Sequence, residues 1–300
     1  MNLKFKKLKR KDISRLRNLF NSLFIIQKKN NFFLWQSFNY YLKDFFILGA
    51  FKNKNLIGTF GLQKKNDNKF KNIYMAHWPA VDKKYHSKGV FSKLVSLALK
   101  KKKIDFLYNF FPKTNFSSIK KILSLKSKKI KEFQIEIKNY DQRPNKIKYK
   151  ILKDFSRVHT NNSIKKEFKS FDYNYNYRKW RYKKHPTYKY YIFFVSKTEF
   201  LIFKKFINKK IYIDILEISF NLKNSQKYKK IIISFLNYIK ECYKSSIVNL
   251  WPIEDKNFIF FLKNCGFKNI NSRHIFGYKD FNDLILKKKW IVQKTDSQKF

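Results

Sequence analysis

A single glycine between a lysine and a valine, Lys88-Gly89-Val90, opens a run whose apolar residues fall at 90, 91, 94, 95, 98 and 99. That spacing is helical. Ahead of it, Trp78-Pro79-Ala80-Val81 closes an apolar strand and Asp82 to Lys88 forms a polar turn. Glycine lets a backbone come close to a ligand, and the unpaired N–H groups of a helix start attract phosphate. One glycine before one helix also describes an ordinary strand-to-helix connection, so the local pattern leaves both readings open. Nearby, His77 offers an imidazole whose ordinary pKa of ~6.5 suits a base at neutral pH. Tyr108, on the next apolar segment, offers a proton donor. Each is equally readable as a packed strand residue.

The stretch resembles the acetyl-CoA loop of the GNAT superfamily of N-acyltransferases, Arg/Gln-x-x-Gly-x-Gly/Ala followed by a helix. Here it reads His86-Ser87-Lys88-Gly89-Val90-Phe91. The longer form, a Val-x-x-x-Tyr lead-in before Lys-Gly-Val-Phe-Ser-Lys-Leu, is similar to a GNAT subgroup often encoded with surface-glycan genes. His86 and Phe91 depart from the superfamily pattern. The resemblance implies that main-chain groups of Trp78, Ala80 and Val81 meet the acyl and pantetheine arm, and that His86, Ser87, Lys88, Gly89 and Val90 surround the pyrophosphate. It also matches Asn115 to the family's asparagine contact with the cofactor arm, for which a helix N-cap is the competing role. The family's usual Glu on the fourth strand and Tyr on the helix after the fifth are missing; Ile122 stands at the tyrosine position. His77 and Tyr108 are the substitutes available as base and acid.

These residues need a frame, and the periodicity supplies one. Asn2 to Leu8 alternates as a strand, Lys11 to Gln27 and Asn31 to Leu42 have helical spacing, and Phe45 to Lys52 with Leu56 to Gln63 form a hairpin about Lys52-Asn53-Lys54-Asn55. Asn72 to Val81 is the strand feeding the glycine turn. After the helix come a buried strand, Ile104 to Phe111, a helix from Asn115 to Leu125, and a final strand from Lys131 to Asn139. This is the GNAT order of elements.

The second half of the chain repeats the first. Trp35 aligns with Trp180 at an offset of 145, and the same offset sets Phe45 to Ala50 against Tyr190 to Val195. Later the offset becomes 140, matching Leu107 to Pro112 with Ile247 to Pro252. The second copy has Asn224 to Lys230 at the place of the glycine turn, with no glycine. The expected architecture is α+β: two tandem GNAT-like domains, 1–145 with the acyl-CoA loop and 146–300 without it, each a mixed, mostly antiparallel sheet flanked by helices. In the second, Trp180, Arg181 and Tyr182 resemble a Trp-Arg-Tyr segment of the glycan-linked subgroup. As a surface they would stack on a sugar or grip a phosphate; as a helix end they would dock on the sheet through Trp180.

The 300-residue chain has a formal net charge of +49, which favours nonspecific attraction to polyanions. Only eight of its 69 basic residues are arginine, the side chain suited to bidentate phosphate recognition, and the charge is spread along the chain. Abundant Lys, Asn, Ile and Phe read as the coding bias of an AT-rich genome. Two cysteines without CxxC spacing point to a reduced, cytoplasmic protein. No histidine pair has ligand spacing, so no metal is expected. No apolar run approaches the ~18 residues of a membrane span. The implied activity is transfer of an acyl group from acetyl-CoA or another acyl-CoA to a small-molecule amine, with an amino sugar or cell-envelope precursor as the family-based acceptor. Two rivals are a Fem-type transferase fed by aminoacyl-tRNA, and a noncatalytic module binding nucleic acid or an anionic surface. The first uses two GNAT-like domains but lacks a working acyl-CoA loop.

Overall fold

A computed structural model describes residues 2–25, 27–39, 41, 44–65, 72–142, 147–159, 173–281, 293 and 294, except for the side chains at 115 and 273. The chain forms two compact units. One comprises Met1–Lys128 and residues from Ile275; the other comprises Lys129–His274 and residues from Lys287.

In the first unit, β1 (Lys4–Lys7) precedes α1 (Ile13–Leu23) and α2 (Asn30–Phe33). The hairpin follows as β2 (Phe45–Lys52) and β3 (Asn55–Lys65), turning at Asn53 with φ 55°. Asparagine tolerates that left-handed conformation. Then come β4 (Ile73–Val81), α3 (Val90–Lys100), β5 (Phe106–Pro112) and α4 (Lys113–Leu123). Strands β1 to β4 pair antiparallel in sequence order, and β5 joins β4 in parallel. Period-two alternation gives the sheet two apolar faces. One carries Phe60, Leu62 and Leu107 against Leu94, Val95 and Ala98 of α3. The other carries Ile47, Trp78 and Ala80 against Leu16, Phe20 and Phe33 of the first helices.

The second unit contains β6 (Lys126–Glu136, most of it), β7 (Lys150–Leu152), α5 (Tyr175–Arg178), β8 (Tyr190–Ser196), β9 (Glu199–Asn208) and β10 (Lys210–Ser219). It continues with α6 (Ser225–Cys242), β11 (Ser246–Leu250), α7 (Lys256–Asn264) and the start of β12 (Lys268–Asp280), whose residues from Ile275 belong to the first unit. Strands β8 to β10 repeat the antiparallel run, and β11 repeats the parallel addition. Phe203, Ile213, Ile215 and Val248 pack against Ile232, Phe235 and Ile239 of α6. Each such side chain contributes about 1.5–3 kcal/mol on full burial.

Several expectations change. The helix expected over 31–42 is one α turn that widens into a π turn, Leu34–Phe38; the second unit repeats this with α5 and Lys179–Lys183. Trp35 and Trp180 hold the same second place in the two π turns. The break expected at 145/146 lies outside the described residues, and the two compact units divide between Lys128 and Lys129. The strand expected to finish the first copy, β6, pairs with β11, while β12 is the second neighbour of β5. Phe133 and Ile135 of β6 complete the core under α6 and α7, and Phe276 and Tyr278 of β12 pack on Phe106, Tyr108 and Phe110. Finally, Leu107 and Val248 are the residues facing the helices in their respective copies, so the repeat at this strand is shifted by one residue from the offset of 140.

Candidate active site

The parallel ladder between β4 and β5 is short: Ile73 pairs with Phe106, Tyr74 with Leu107 and Met75 with Tyr108, and there it stops. Strand β4 continues to Val81 without that neighbour. The departure coincides with a β-bulge, where the β3 register jumps from Gly61↔His77 to Thr59↔Ala80. Trp78, within the bulge, has φ 48°. A bulky residue in the left-handed region costs about 1–3 kcal/mol and persists only where its surroundings hold it. Here the Thr59 hydroxyl donates to the Trp78 carbonyl at 2.8 Å, and the Trp78 indole N–H donates to Ser37 Oγ at 2.8 Å. Phe33 stacks on the indole at 4.8 Å and Phe20 meets it edge-on at 4.6 Å. A diverging strand offers main-chain donors and acceptors along its open edge, and such strain is characteristic of functional sites.

Past Val81 the chain turns tightly. Asp82 Oδ1 accepts from the Lys84 N–H at 2.9 Å, and the Tyr85 N–H donates to the Asp82 carbonyl at 2.8 Å. His86 Nε2 lies 2.9 Å from the Val81 carbonyl, which fixes its proton on that nitrogen. Ser87 (φ 59°) and Gly89 (φ 73°) are left-handed, and Gly89 caps α3. A Cβ added to Gly89 would meet nothing within 4 Å. The conformation therefore favours glycine here, and open space adjoins it. Ser87, Lys88 and Gly89 are exposed, while Val90 is anchored in the core. The ammonium groups of Lys52 and Lys88 each lie 5.6 Å from the Tyr85 ring. A helix start with free N–H groups, an approachable backbone and adjoining cations suits a phosphate-bearing ligand.

His77 and Tyr108 share a face of the sheet, because His77 is two residues from Met75 and Met75 pairs with Tyr108. His77 is fully buried, with the Phe45 ring edge-on at 5.0 Å and Trp78 at 4.7 Å. Burial, with a smaller contribution from Lys65, holds its pKa well below the ordinary imidazole value, so the ring is neutral. Tyr108 is buried among Phe106, Phe110 and Phe276. Ala80 is buried and Val81 partly so. Asn115 is the third residue of α4, whose cap is Pro112, so it is not the N-cap; its side chain lies outside the described residues. Ile122, at the expected tyrosine place, is partly exposed.

The second unit repeats the divergence but differs at each chemical position. Strand β11 pairs with β10 only as far as Asp214↔Asn249, and β10 continues past a bulge at Leu216. The N-terminus of α6 is closed by its own side chain: Asn224 Oδ1 accepts from the Lys227 N–H at 3.0 Å. Trp180, Arg181 and Tyr182 are 4%, 2% and 2% exposed, so they do not form a solvent-facing aromatic surface. The π turn directs them into the protein, where the Tyr182 hydroxyl donates to Glu217 Oε2 at 3.2 Å. Arg178 also donates to Glu217 through Nε at 3.1 Å and through Nη2. The pairing register places Tyr190, Lys204, Asp214, Asn249 and Gln134 in one row across five strands. Sequence reasoning missed this polar row. Its available signal was IYIDILEIS, an apolar strand interrupted by Asp214 and Glu217 and ending at Ser219.

Among the described residues, no helix is long and apolar enough to cross a membrane, and no three His, Cys, Asp or Glu residues cluster to hold a metal. No protein-family model and no curated protein sequence matches the chain. Solved structures do. A GCN5-related N-acetyltransferase from Kribbella flavida superposes with a TM-score of 0.64 at 10% identity, covering 94% of this chain and 72% of that one. A second GCN5-related N-acetyltransferase, from Anabaena variabilis, gives 0.63 at 10% identity over 94% and 74%. A tandem GNAT protein from the clavulanic acid biosynthesis pathway gives 0.58 at 10% identity, covering 93% of this chain and 98% of its own.

Proposed function

From the GNAT fold, which this chain has along most of its length, we propose that the protein is an acyl-CoA-dependent N-acyltransferase whose donor site lies in the first unit. The observation that carries this reading is the combination of a strained, diverging β4 with a left-handed glycine that starts α3 beside open space. The main chain of Trp78, Ala80 and Val81 runs beside the acyl and pantetheine arm. Ser87, Lys88, Gly89 and Val90 receive the pyrophosphate, with His86 flanking the turn and Asn115 meeting the arm.

In the reaction, the nitrogen of a neutral amine attacks the thioester carbonyl carbon. The C–N bond forms, the C–S bond breaks, and the amine loses a proton while the departing thiolate gains one. We assign the first transfer to His77, the imidazole of β4, which shares a face of the sheet with Tyr108 and is neutral in the folded protein. Tyr108 is the acid. The acceptor is a small-molecule amine, with an amino sugar as the specific candidate, and the setting is cytoplasmic. The basic surface adds nonspecific attraction to polyanions. Calorimetric titration with acetyl-CoA at near-physiological salt tests the donor site: saturable binding supports the assignment, and its absence refutes it. Release of free thiol across a panel of amines then identifies the acceptor.

A further inference from the structure

The open edge of β10 in the second unit is already occupied. Beyond Asp214, β11 no longer pairs with β10, so among the described residues Ile215 to Ser219 have a strand, β9, on one side only. The amide of Ile218 does not face β9. Its N–H donates to Gln293 Oε1 at 2.6 Å, and its carbonyl accepts from Gln293 Nε2 at 3.3 Å. This two-point contact is the one a neighbouring strand's peptide group would make. The next residue secures it: Lys294 Nζ donates to Asp214 Oδ1 at 2.9 Å and lies 2.9 Å from Glu132 Oε1. Gln293 and Lys294 are 3% and 2% exposed. Asp214 also faces Lys204 at 3.8 Å, so two ammonium groups and two carboxylates are brought together. Removing either partner of the Lys294–Asp214 pair would leave an uncompensated buried charge.

We infer that the second unit is a self-occupied counterpart of the first, with Gln293 and Lys294 acting as an internal strap across the β10 edge that an extended, amide-bearing ligand would need. The carboxamide of Gln293 takes the main-chain groups, and the Lys294 ammonium takes the carboxylates beside them. Together with the side-chain cap on α6, this restricts the chain to one acyl-CoA, held by the first unit. The stoichiometric part rests on the donor-site assignment above. The strap itself does not.

Amide hydrogen exchange read at Ile218 tests the strap without any ligand. In the unmodified protein this amide should exchange as slowly as those of the paired β9 and β10 residues; exchange at the rate of an unpaired surface amide would overturn the inference. In Gln293→Ala it should exchange at least tenfold faster while the Ile213 amide keeps its protection, and an unchanged Ile218 rate would also overturn it. Calorimetry with acetyl-CoA addresses the consequence: one equivalent is expected for wild type and none for Gly89→Val. A second equivalent in wild type would show that the strapped unit accepts the ligand and would sink the inference, whereas a single equivalent retained in Gly89→Val would count against the glycine-loop assignment instead. If acetyl-CoA binds neither protein, the donor-site reading fails, and the exchange data still decide the strap.

Discussion

Replacing Gly89 by valine separates the demands of folding from those of binding. At φ 73°, a residue with a Cβ costs about 1–2 kcal/mol, and a β-branched one lies at the upper end. No steric clash adds to this, because the space around an added Cβ is empty to 4 Å. The helix after the glycine is held by Val90, Leu94, Val95 and Ala98, each at most 3% exposed. At about 1.5–3 kcal/mol for each of the three larger side chains, its docking exceeds the strain. A loss of ~2 kcal/mol lowers Tm by roughly 4–8 °C in a unit of this size, leaving the protein folded at 25 °C. Binding should respond differently, since the new side chain projects into the space where the pyrophosphate needs to meet the backbone. Acetyl-CoA affinity should fall at least ~100-fold, about 2.7 kcal/mol. Circular dichroism and calorimetry on the same samples measure both effects. A folded Gly89→Val protein that binds acetyl-CoA within about threefold of wild type would refute the loop assignment. Gly89→Asn isolates the side chain from the strain, because asparagine adopts the left-handed conformation readily; it should approach wild-type Tm and still bind poorly.

Three further outcomes are expected from the buried groups. The unfolded chain takes a proton on His77 near pH 6.5 and the folded chain does so only at lower pH; proton uptake therefore favours unfolding as pH falls below 6.5, by up to about 1.4 kcal/mol per unit. Urea denaturation should give a flatter stability profile between pH 6.5 and 5 for His77→Gln, and equal slopes would show that His77 is not a buried neutral group. Glu217→Ala leaves the buried Arg178 guanidinium without its carboxylate and should cost about 3–5 kcal/mol in chemical denaturation, with Glu217→Gln costing less; a loss below 1 kcal/mol would contradict the pairing. Burial pushes the Cys265 thiol up to about 12, leaving about one molecule in ten thousand as thiolate at pH 8, whereas Cys242 is exposed. Iodoacetamide should add one equivalent to the native protein, at Cys242, and mass spectrometry finding Cys265 modified as fast would count against the packing.

Much of the first unit was legible in the sequence because its information is local. The short apolar run Phe45 to Phe51, bounded by the Lys52-Asn53-Lys54-Asn55 turn, and the period of 3.6 after Gly89 specify their elements without distant partners, and a lone glycine before an apolar helix marks a left-handed turn. The paired Trp35 and Trp180 likewise revealed a repeat that the two π turns share. Other features depend on which strand becomes the neighbour. Nothing local tells Lys131 to Glu136 that its partner is β11, or indicates that β12 adjoins β5; the choice rests on which apolar face completes which core. The one-residue shift of the repeat at β5 and β11 also required the pairing register, because a slip of one exchanges the two faces of a strand. Aromatic and arginine residues at 180 to 182 suggested a surface, but the π turn buries them. The strap is the clearest case: Gln293 reaches Ile218 across 75 positions of sequence, and only the folded chain brings an ordinary Gln-Lys pair to the edge of β10 and to the carboxylates of Asp214 and Glu132.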